Sequence, residues 1–118
     1  MIPDDARLLR LYINGSDRWR GRPLYRAVVE AARSLHAAGA SVFLVDRSYG
    51  AQRRLRDARN EYLSVDIPVV VEIVDAPTTI DTLLEQLRPM VGDGFATVEP
   101  VRVVRYSHHE GDPTPDMP

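Results

Sequence analysis

Two residue types are missing from the chain, cysteine and lysine. Its 118 residues contain no cysteine, which excludes disulfide bonds, thiolate metal sites and cysteine nucleophiles. All 15 cationic side chains are arginine, which excludes the lysine of a phosphate-binding loop and a Schiff-base lysine. Any anion site must therefore use backbone amides or guanidinium groups, which make planar, bidentate contacts to carboxylates and phosphates.

The sequence also has little net charge and no long apolar run. A net charge of −2 at pH 7 does not fit a dedicated nucleic-acid binder, which is usually strongly basic. No run approaches the roughly 18 apolar residues of a membrane span, and the first residues lack the basic and then apolar pattern of a secretory signal. We therefore expect a cytoplasmic protein with no nucleic-acid partner and no direct membrane insertion.

Strand and helix patterns alternate along the chain. Alternating or nearly continuous apolar residues predict strands at 8–14, 41–49, 67–75 and 96–106. Apolar residues at helical spacing predict a helix that starts with Pro23 and runs to Ala38, with Gly39 as its cap. A polar, arginine-rich connection with a weakly helical pattern occupies residues 50–65.

A second helix is predicted to open at Asp75-Ala76-Pro77-Thr78 and to run to Val91, with Pro89 distorting its last turn. The turn Gly92-Asp93-Gly94 then ends it. Residues 107–118 contain three prolines and are expected to form a flexible tail. The ordered part, residues 1–106, is therefore expected to be a single domain.

The order of these elements predicts an α+β fold, the ferredoxin-like βαββαβ sandwich. In this fold a four-stranded antiparallel sheet carries both helices on one face. Its second and fourth strands lie at the edges, where a proline such as Pro100 is tolerated.

The other face of the predicted sheet carries no helix. Alternation places Leu8, Arg10 and Tyr12 of the first strand on this open face, and Val70, Glu72 and Val74 of the third. These strands are neighbours in the fold, so Arg10 and Glu72 are expected to pair. Because a largely apolar face seldom stays exposed in a soluble monomer, we expect a subunit interface formed by Arg10, Tyr12, Val70, Glu72 and Val74. The alternative is a solvated, half-polar face with scattered valines.

Five segments resemble the family called domain of unknown function 190, within a match over residues 8–106. They are Leu11-Tyr12-Ile13, the stretch from Ser16 to Tyr25, Ala38-Gly39-Ala40, the strand from Pro68 to Asp75 and the close at Val101 to Tyr106. Members of this family resemble the PII signal-transduction proteins, which are ferredoxin-like trimers that bind small effectors between subunits and present a loop to a partner. Some members are encoded near fluoride-channel proteins. The resemblance implies a non-enzymatic regulatory homotrimer, a small anionic effector such as an adenine nucleotide, and a transporter or channel as partner.

The same resemblance implies a set of ligand-binding residues. Tyr49-Gly50-Ala51-Gln52 is similar to the base of the long PII loop, in which a glycine and a glutamine approach the ligand. The turn Gly92-Asp93-Gly94 is similar to the PII turn whose amides hold phosphates, although on its own it is a common way to end a helix. Phe95 stands where PII proteins have a lysine, and Ala51 where they have an arginine. The implied ligand set is Gly50, Gln52, Gly92, Asp93, Gly94, Arg102 and Arg105, with both arginines on the last strand.

Two arginine groups stand apart from that set. Residues 47–59 form a candidate loop that recognises a partner, with a plain solvated loop as the alternative; its arginines are Arg47, Arg53, Arg54, Arg56 and Arg59. The second group, Arg18, Arg20 and Arg22, precedes a helix N-terminus, which attracts anions. Here we favour a structural role, with Asp17 capping the helix and Trp19 packing against it.

The sequence contains no motif for catalysis or for metal binding. Neither a Ser–His–Asp arrangement nor a histidine metal motif is visible, and His108-His109 lies in the predicted tail without fixed geometry. We therefore expect no cofactor, no metal and no enzymatic activity. Two alternatives stay open: a small ferredoxin-like enzyme that uses Arg10 and Glu72 at the sheet face, and an RNA-recognition-like domain, which needs aromatic residues on both central strands.

Overall fold

The computed structural model describes residues 2–45, 47–49, 55–57 and 67–106. The strands in this part of the chain are β1 (Asp5–Asn14), β2 (Arg18–Trp19), β3 (Arg22–Pro23), β4 (Ala40–Leu44), β5 (Arg47–Tyr49), β6 (Leu55–Asp57), β7 (Pro68–Asp75) and β8 (Phe95–Arg102). The helices are α1 (Leu24–Ser34) and α2 (Pro77–Leu87).

An antiparallel sheet with the strand order β4-β7-β1-β8 carries the fold. Both helices pack on one of its faces and form a core with the buried residues of β1 and β7. The predicted α+β ferredoxin-like architecture is therefore confirmed, with the second and fourth main strands at the edges. Pro100 lies in β8, at one of these edges, opposite Arg7.

The core forms because alternate residues of the two central strands point to the helices. Leu9 pairs with Ile73, Leu11 with Val71 and Ile13 with Val69, and all six side chains are buried. From the helices, the buried residues that meet them are Leu24, Val28, Ala32, Ile80, Leu83 and Leu87. The strands contribute every second residue and the helices one residue about every 3.6, and together these side chains form one apolar layer.

Helix α1 is shorter than its predicted range. Pro23 is its N-cap and not its first helical residue, and the helix ends at Ser34 instead of Ala38. His36 adopts a left-handed conformation with a φ of 59°. Its amide donates to the Arg33 carbonyl at 2.9 Å, and the amide of Ala37 donates to the Ala32 carbonyl at 3.0 Å. This is a Schellman ending, so His36 takes the position predicted for Gly39.

Helix α2 also ends before its predicted limit. Its regular part stops at Leu87 because Pro89 has no amide hydrogen with which to continue the helix. The amides of Met90 and Val91 both donate to the Leu87 carbonyl, at 2.9 and 3.0 Å, and close a final turn. The predicted distortion at Pro89 is thus confirmed.

Two strand predictions are wrong. The predicted strand 41–49 is divided into β4 and β5, and β5 pairs with β6 as a separate hairpin, so part of the connection 50–65 is strand and not helix. The last strand ends at Arg102 and not at Tyr106, because its neighbour β1 begins at Asp5; only Val103 still donates to the Asp4 carbonyl, at 2.8 Å. The predicted tail, residues 107–118, lies outside the described residues.

The carboxylate of Asp75 ties the end of β7 to both helices. One oxygen accepts the amide of Ala38 at 2.8 Å, in the segment after α1, and the other accepts the amide of Ala76 at 2.6 Å, just before α2. Asp75 is buried, with 8% of its surface exposed. A carboxylate suits this position because it has two acceptor oxygens and no donor.

We predict that Asp75→Asn destabilises the fold, because an asparagine side chain has one acceptor oxygen and leaves one amide unpaired. The expected loss in the free energy of unfolding is about 1–3 kcal/mol, the cost of a buried unsatisfied group. Urea unfolding monitored by circular dichroism measures it. Asp81→Asn, on the exposed side of α2, is the matched control and should change stability little; equal effects of the two substitutions would contradict the prediction.

Candidate functional site

The open face of the sheet carries a row of apolar side chains across all four strands. The strand register places Phe43 of β4 beside Val70 of β7, then Tyr12 of β1 and Phe95 of β8. The Tyr12 and Phe95 rings are stacked, with centroids 4.6 Å apart and an interplanar angle of 14°. Phe43 is 49% and Phe95 is 62% exposed, so this row is a large uncovered apolar surface.

A polar row follows on the same face. It contains Ser41, Glu72, Arg10 and Thr97 in strand order. Arg10 Nε donates to Glu72 Oε2 at 2.9 Å, which confirms the predicted ion pair, and its Nη1 reaches Glu99 Oε1 at 3.4 Å. The hydrogen bond from Arg10 to Glu72 is the main reason that the pKa of Arg10 is raised above its ordinary value. The positive charge of Arg10 at the centre of the face thus has a carboxylate on each neighbouring strand, Glu72 on β7 and Glu99 on β8.

The sequence predicted part of this face and missed its two phenylalanines. Burial in the structure agrees with the predicted orientation of β1 and β7: Arg10, Tyr12, Val70, Glu72 and Val74 are half-buried, and the residues between them are buried. Phe43 and Phe95 lie on edge strands, so only the register with a neighbour shows which face they share. The sequence could have revealed Phe95 only through an antiparallel alignment of the first and last strands that pairs it with Tyr12.

The predicted ligand residues fall into two groups at opposite ends of the sheet. The turn Gly92–Gly94 leads into β8, and Arg102 is at the end of that strand. Their separation is roughly 26 Å at about 3.3 Å per residue. Arg105 lies beyond the strand, contrary to its predicted place, and its Nη1 is 3.2 Å from Asp4 Oδ1. One subunit alone therefore does not bring the turn and these arginines together.

Gly94 has a structural reason to be glycine. A Cβ added there would lie 2.7 Å from the backbone oxygen of Tyr12, whereas one added at Gly92 would meet nothing within 4 Å. The close approach holds the turn against the end of β1. Gly92, Asp93 and Gly94 themselves are exposed to solvent.

The other predicted residues lie near or outside the described part of the chain. Arg47 is in β5 opposite Asp57, and Arg56 is in β6 opposite Ser48. The chain leads toward β5 from Val45, whose amide donates to the Pro68 carbonyl at 3.0 Å. This is the end of the sheet at which Gly92–Gly94 also lies. The remaining predicted residues, Gly50, Gln52, Arg53, Arg54 and Arg59, are outside the described residues.

The described residues contain neither a metal-binding cluster nor a membrane-spanning helix. Within this part of the chain, no group of three or more His, Asp or Glu side chains is placed to hold a metal ion. Over the same residues, no helix has the length and apolar character needed to cross a bilayer.

Comparison with known proteins identifies relatives of this chain. Residues 6–103 match the sequence model of the family DUF190, described as "Uncharacterized ACR". A UPF0166 protein of Aquifex aeolicus (strain VF5) is 32% identical over 98 residues, which cover 83% of this chain and 92% of that protein.

Two solved structures show the same fold. CPII, a nitrogen regulatory PII-like protein from Thiomonas intermedia K12 bound to ADP, AMP and bicarbonate, has a TM-score of 0.67 and 13% identity, with 86% of this chain and 90% of that chain covered. A proposed PII-like signaling protein from Thermus thermophilus has a TM-score of 0.62 and 18% identity, with 85% and 90% covered. At these identities the likeness concerns the fold alone.

We predict that Gly94→Ala destabilises the protein, because its methyl group would overlap the Tyr12 carbonyl. The expected loss in the free energy of unfolding is about 1–3 kcal/mol, as for other overpacked sites. The control is Gly92→Ala, in the same turn, which should be close to neutral. Chemical denaturation of both variants measures the difference, and a Gly94 variant as stable as the control would contradict the contact.

Proposed function

Because the chain belongs to the DUF190 family, we propose that it is a non-enzymatic PII-like regulatory protein, a homotrimer that binds a small anionic effector between its subunits. The observation that carries this proposal is the apolar row Phe43–Val70–Tyr12–Phe95 on the helix-free face of the sheet. Soluble monomers rarely expose a contiguous apolar patch of this kind.

The chemistry of the open face suits contact with copies of itself. Its apolar row supplies the area, and the charge of Arg10 is neutralised by Glu72 within the subunit. The second carboxylate beside Arg10, that of Glu99, is 54% exposed and leaves one net negative charge in this group. The same neutralisation argues against a free acid–base pair at this position and hence against an enzyme site there. Of the two central strands, β7 presents Val70, Glu72 and Val74 but no aromatic residue, which does not favour the RNA-recognition alternative.

The effector site is proposed to form between subunits. The Gly92–Gly94 turn of one subunit would supply amides, and Arg102 of a neighbour would supply a guanidinium group. Arg102 is exposed, and none of the side chains that the structure describes pairs with it. Arg105 would join by exchanging Asp4 for the ligand. Gly50 and Gln52 complete the proposed site at the base of the loop.

An adenine nucleotide is the proposed effector class. CPII, which shares the fold, is bound to ADP, AMP and bicarbonate, all of them anions. With no lysine in the chain, arginine and backbone donors must supply the positive potential. Loop 50–65, with Arg47, Arg53, Arg54, Arg56 and Arg59 on or beside it, is proposed to report occupancy to a partner such as a transporter or channel.

The assembly is tested with Val70→Asp, which places an unpaired charge in the centre of the apolar row. Burying such a charge costs several kcal/mol, so the variant should sediment near 13.3 kDa while the parent protein sediments at three times that mass. Thr82→Asp, on the exposed side of α2, is the control and should leave the trimer intact. A parent protein that is monomeric at tens of micromolar would end the proposal of assembly.

The effector site is tested by titrating ADP into the protein and measuring the thermal shift. Arg102→Ala should weaken binding by about 1.5–3 kcal/mol, the usual contribution of a charge-assisted hydrogen bond, and Arg105→Ala should weaken it less because Asp4 already engages that side chain. The control Arg33→Ala, on the exposed side of α1, should bind ADP as the parent does. Unchanged affinity in both strand-end variants, with the trimer preserved, would place the effector elsewhere.

A further inference from the structure

The small hairpin of β2 and β3 presents an arginine at a position that seldom accepts one. Its two turn residues both have positive φ, 53° at Arg20 and 81° at Gly21, as in a type I′ turn. Asparagine or glycine is preferred at the first of these positions, because a Cβ atom is crowded by the backbone there; glycine has none, and the short side chain of asparagine can hydrogen-bond locally. The conformation nevertheless places the Arg20 guanidinium over the indole ring of Trp19, 5.0 Å from its centroid.

The neighbouring arginines have structural partners. Arg18 donates to the Gly21 carbonyl at 2.7 Å and closes the hairpin. Arg22 pairs with Glu30 at 2.7 Å and fastens the hairpin to α1. The predicted capping of α1 by the Asp17 side chain is wrong, because its carboxylate accepts the Asn14 amide at 3.0 Å. It is the backbone carbonyl of Asp17 that accepts the amide of Leu24, the first residue of α1, at 2.8 Å. Trp19 packs against the hydrophobic core, as predicted, and this contact holds the hairpin against the core.

Beside this hairpin lies a groove of about 360 Å³. The hairpin contributes Trp19, Arg20 and Arg22 to its lining, and the remaining lining residues, from α1 and the turn after α2, are Ala27, Glu30, Ala31, Ser34 and Met90. Because Arg22 already neutralises Glu30, the free charge at the rim is the positive charge of Arg20. The groove belongs to the helical layer and is separate from the open face of the sheet.

We propose that this groove binds an acidic segment of a partner protein. An apolar side chain of the segment would lie over Ala27, Ala31 and Met90, and an adjacent carboxylate would pair with Arg20. The charge is complementary, since no carboxylate in the part of the chain that the structure describes neutralises the guanidinium of Arg20 at the rim. The stacked guanidinium is held in place before binding, which lowers the entropic cost of the contact.

The shape of the groove favours a protein segment over a small effector. Small-molecule sites enclose most of the ligand surface, whereas this groove is largely open to solvent, and two of its three apolar contacts are alanines. This inference goes beyond the proposed effector site, because the residues that line the groove include none from the Gly92–Gly94 turn or from the open face of the sheet.

The test uses Trp19, the single tryptophan of the chain, as a reporter inside the groove. The probe is a pentapeptide with one leucine between two pairs of glutamates, and its control has glutamines in place of the glutamates. The acidic peptide should change tryptophan emission in a saturable manner that weakens as salt is added, and the glutamine peptide should not. No saturable change, or the same change with inorganic phosphate or ADP alone, would overturn the proposal.

Arg20→Asn is the decisive variant, because asparagine suits the type I′ turn and preserves the hairpin while it removes the charge. We expect its thermal stability to equal or exceed that of the parent, and its affinity for the acidic peptide to fall at least about tenfold. Arg33→Asn makes the same charge change on the exposed side of α1 and should bind the peptide like the parent. An equal loss in both variants would show unspecific attraction and overturn the proposal.

Discussion

The register between β1 and β7 determines which side chains form the core and which form a surface. Side chains alternate along a strand, so a slip of β1 by one residue would turn its core residues Leu9, Leu11 and Ile13 outward and Arg10 toward the helices, while β7 kept its orientation. The burial of the apolar residues that face the helices and the ion pair of Arg10 with Glu72 favour the same alignment of β1 with β7. The register of β1 with β8 then places Phe95 against Tyr12. Both the core and the proposed interface depend on this one alignment.

Much of the architecture could be predicted from local patterns. The family, the fold class, the orientation of the central strands and the ion pair of Arg10 with Glu72 follow from motifs and from alternation, and they are confirmed. The features that could not be predicted depend on contacts between distant residues. Helix α1 ends early in a segment whose Ala38 amide is bound by Asp75, and β8 stops where β1 has no further residue to pair with it.

The candidate site shows the same limit. A likeness in sequence groups the Gly92–Gly94 turn with Arg102 and Arg105, but topology places them at opposite ends of a strand within one subunit. The sequence likewise predicts a structural role for the arginines before α1. Arg18 and Arg22 have the structural partners that this role implies, and Arg20 stacks on Trp19. The positive φ of Arg20, which the hairpin turn imposes, had no signal in any motif.

Strand β8 has one hydrogen-bonded neighbour, and within the four-stranded sheet the helices pack mainly on β1, β4 and β7. All of its residues are exposed except Val101, which is half-buried. A strand with so few buried contacts opens at a low free-energy cost, before the central strands do. If a neighbouring copy covers its face, the order of this strand becomes linked to protein concentration by mass action. Dilution would then loosen the Gly92–Gly94 turn and Arg102 together, since β8 joins them.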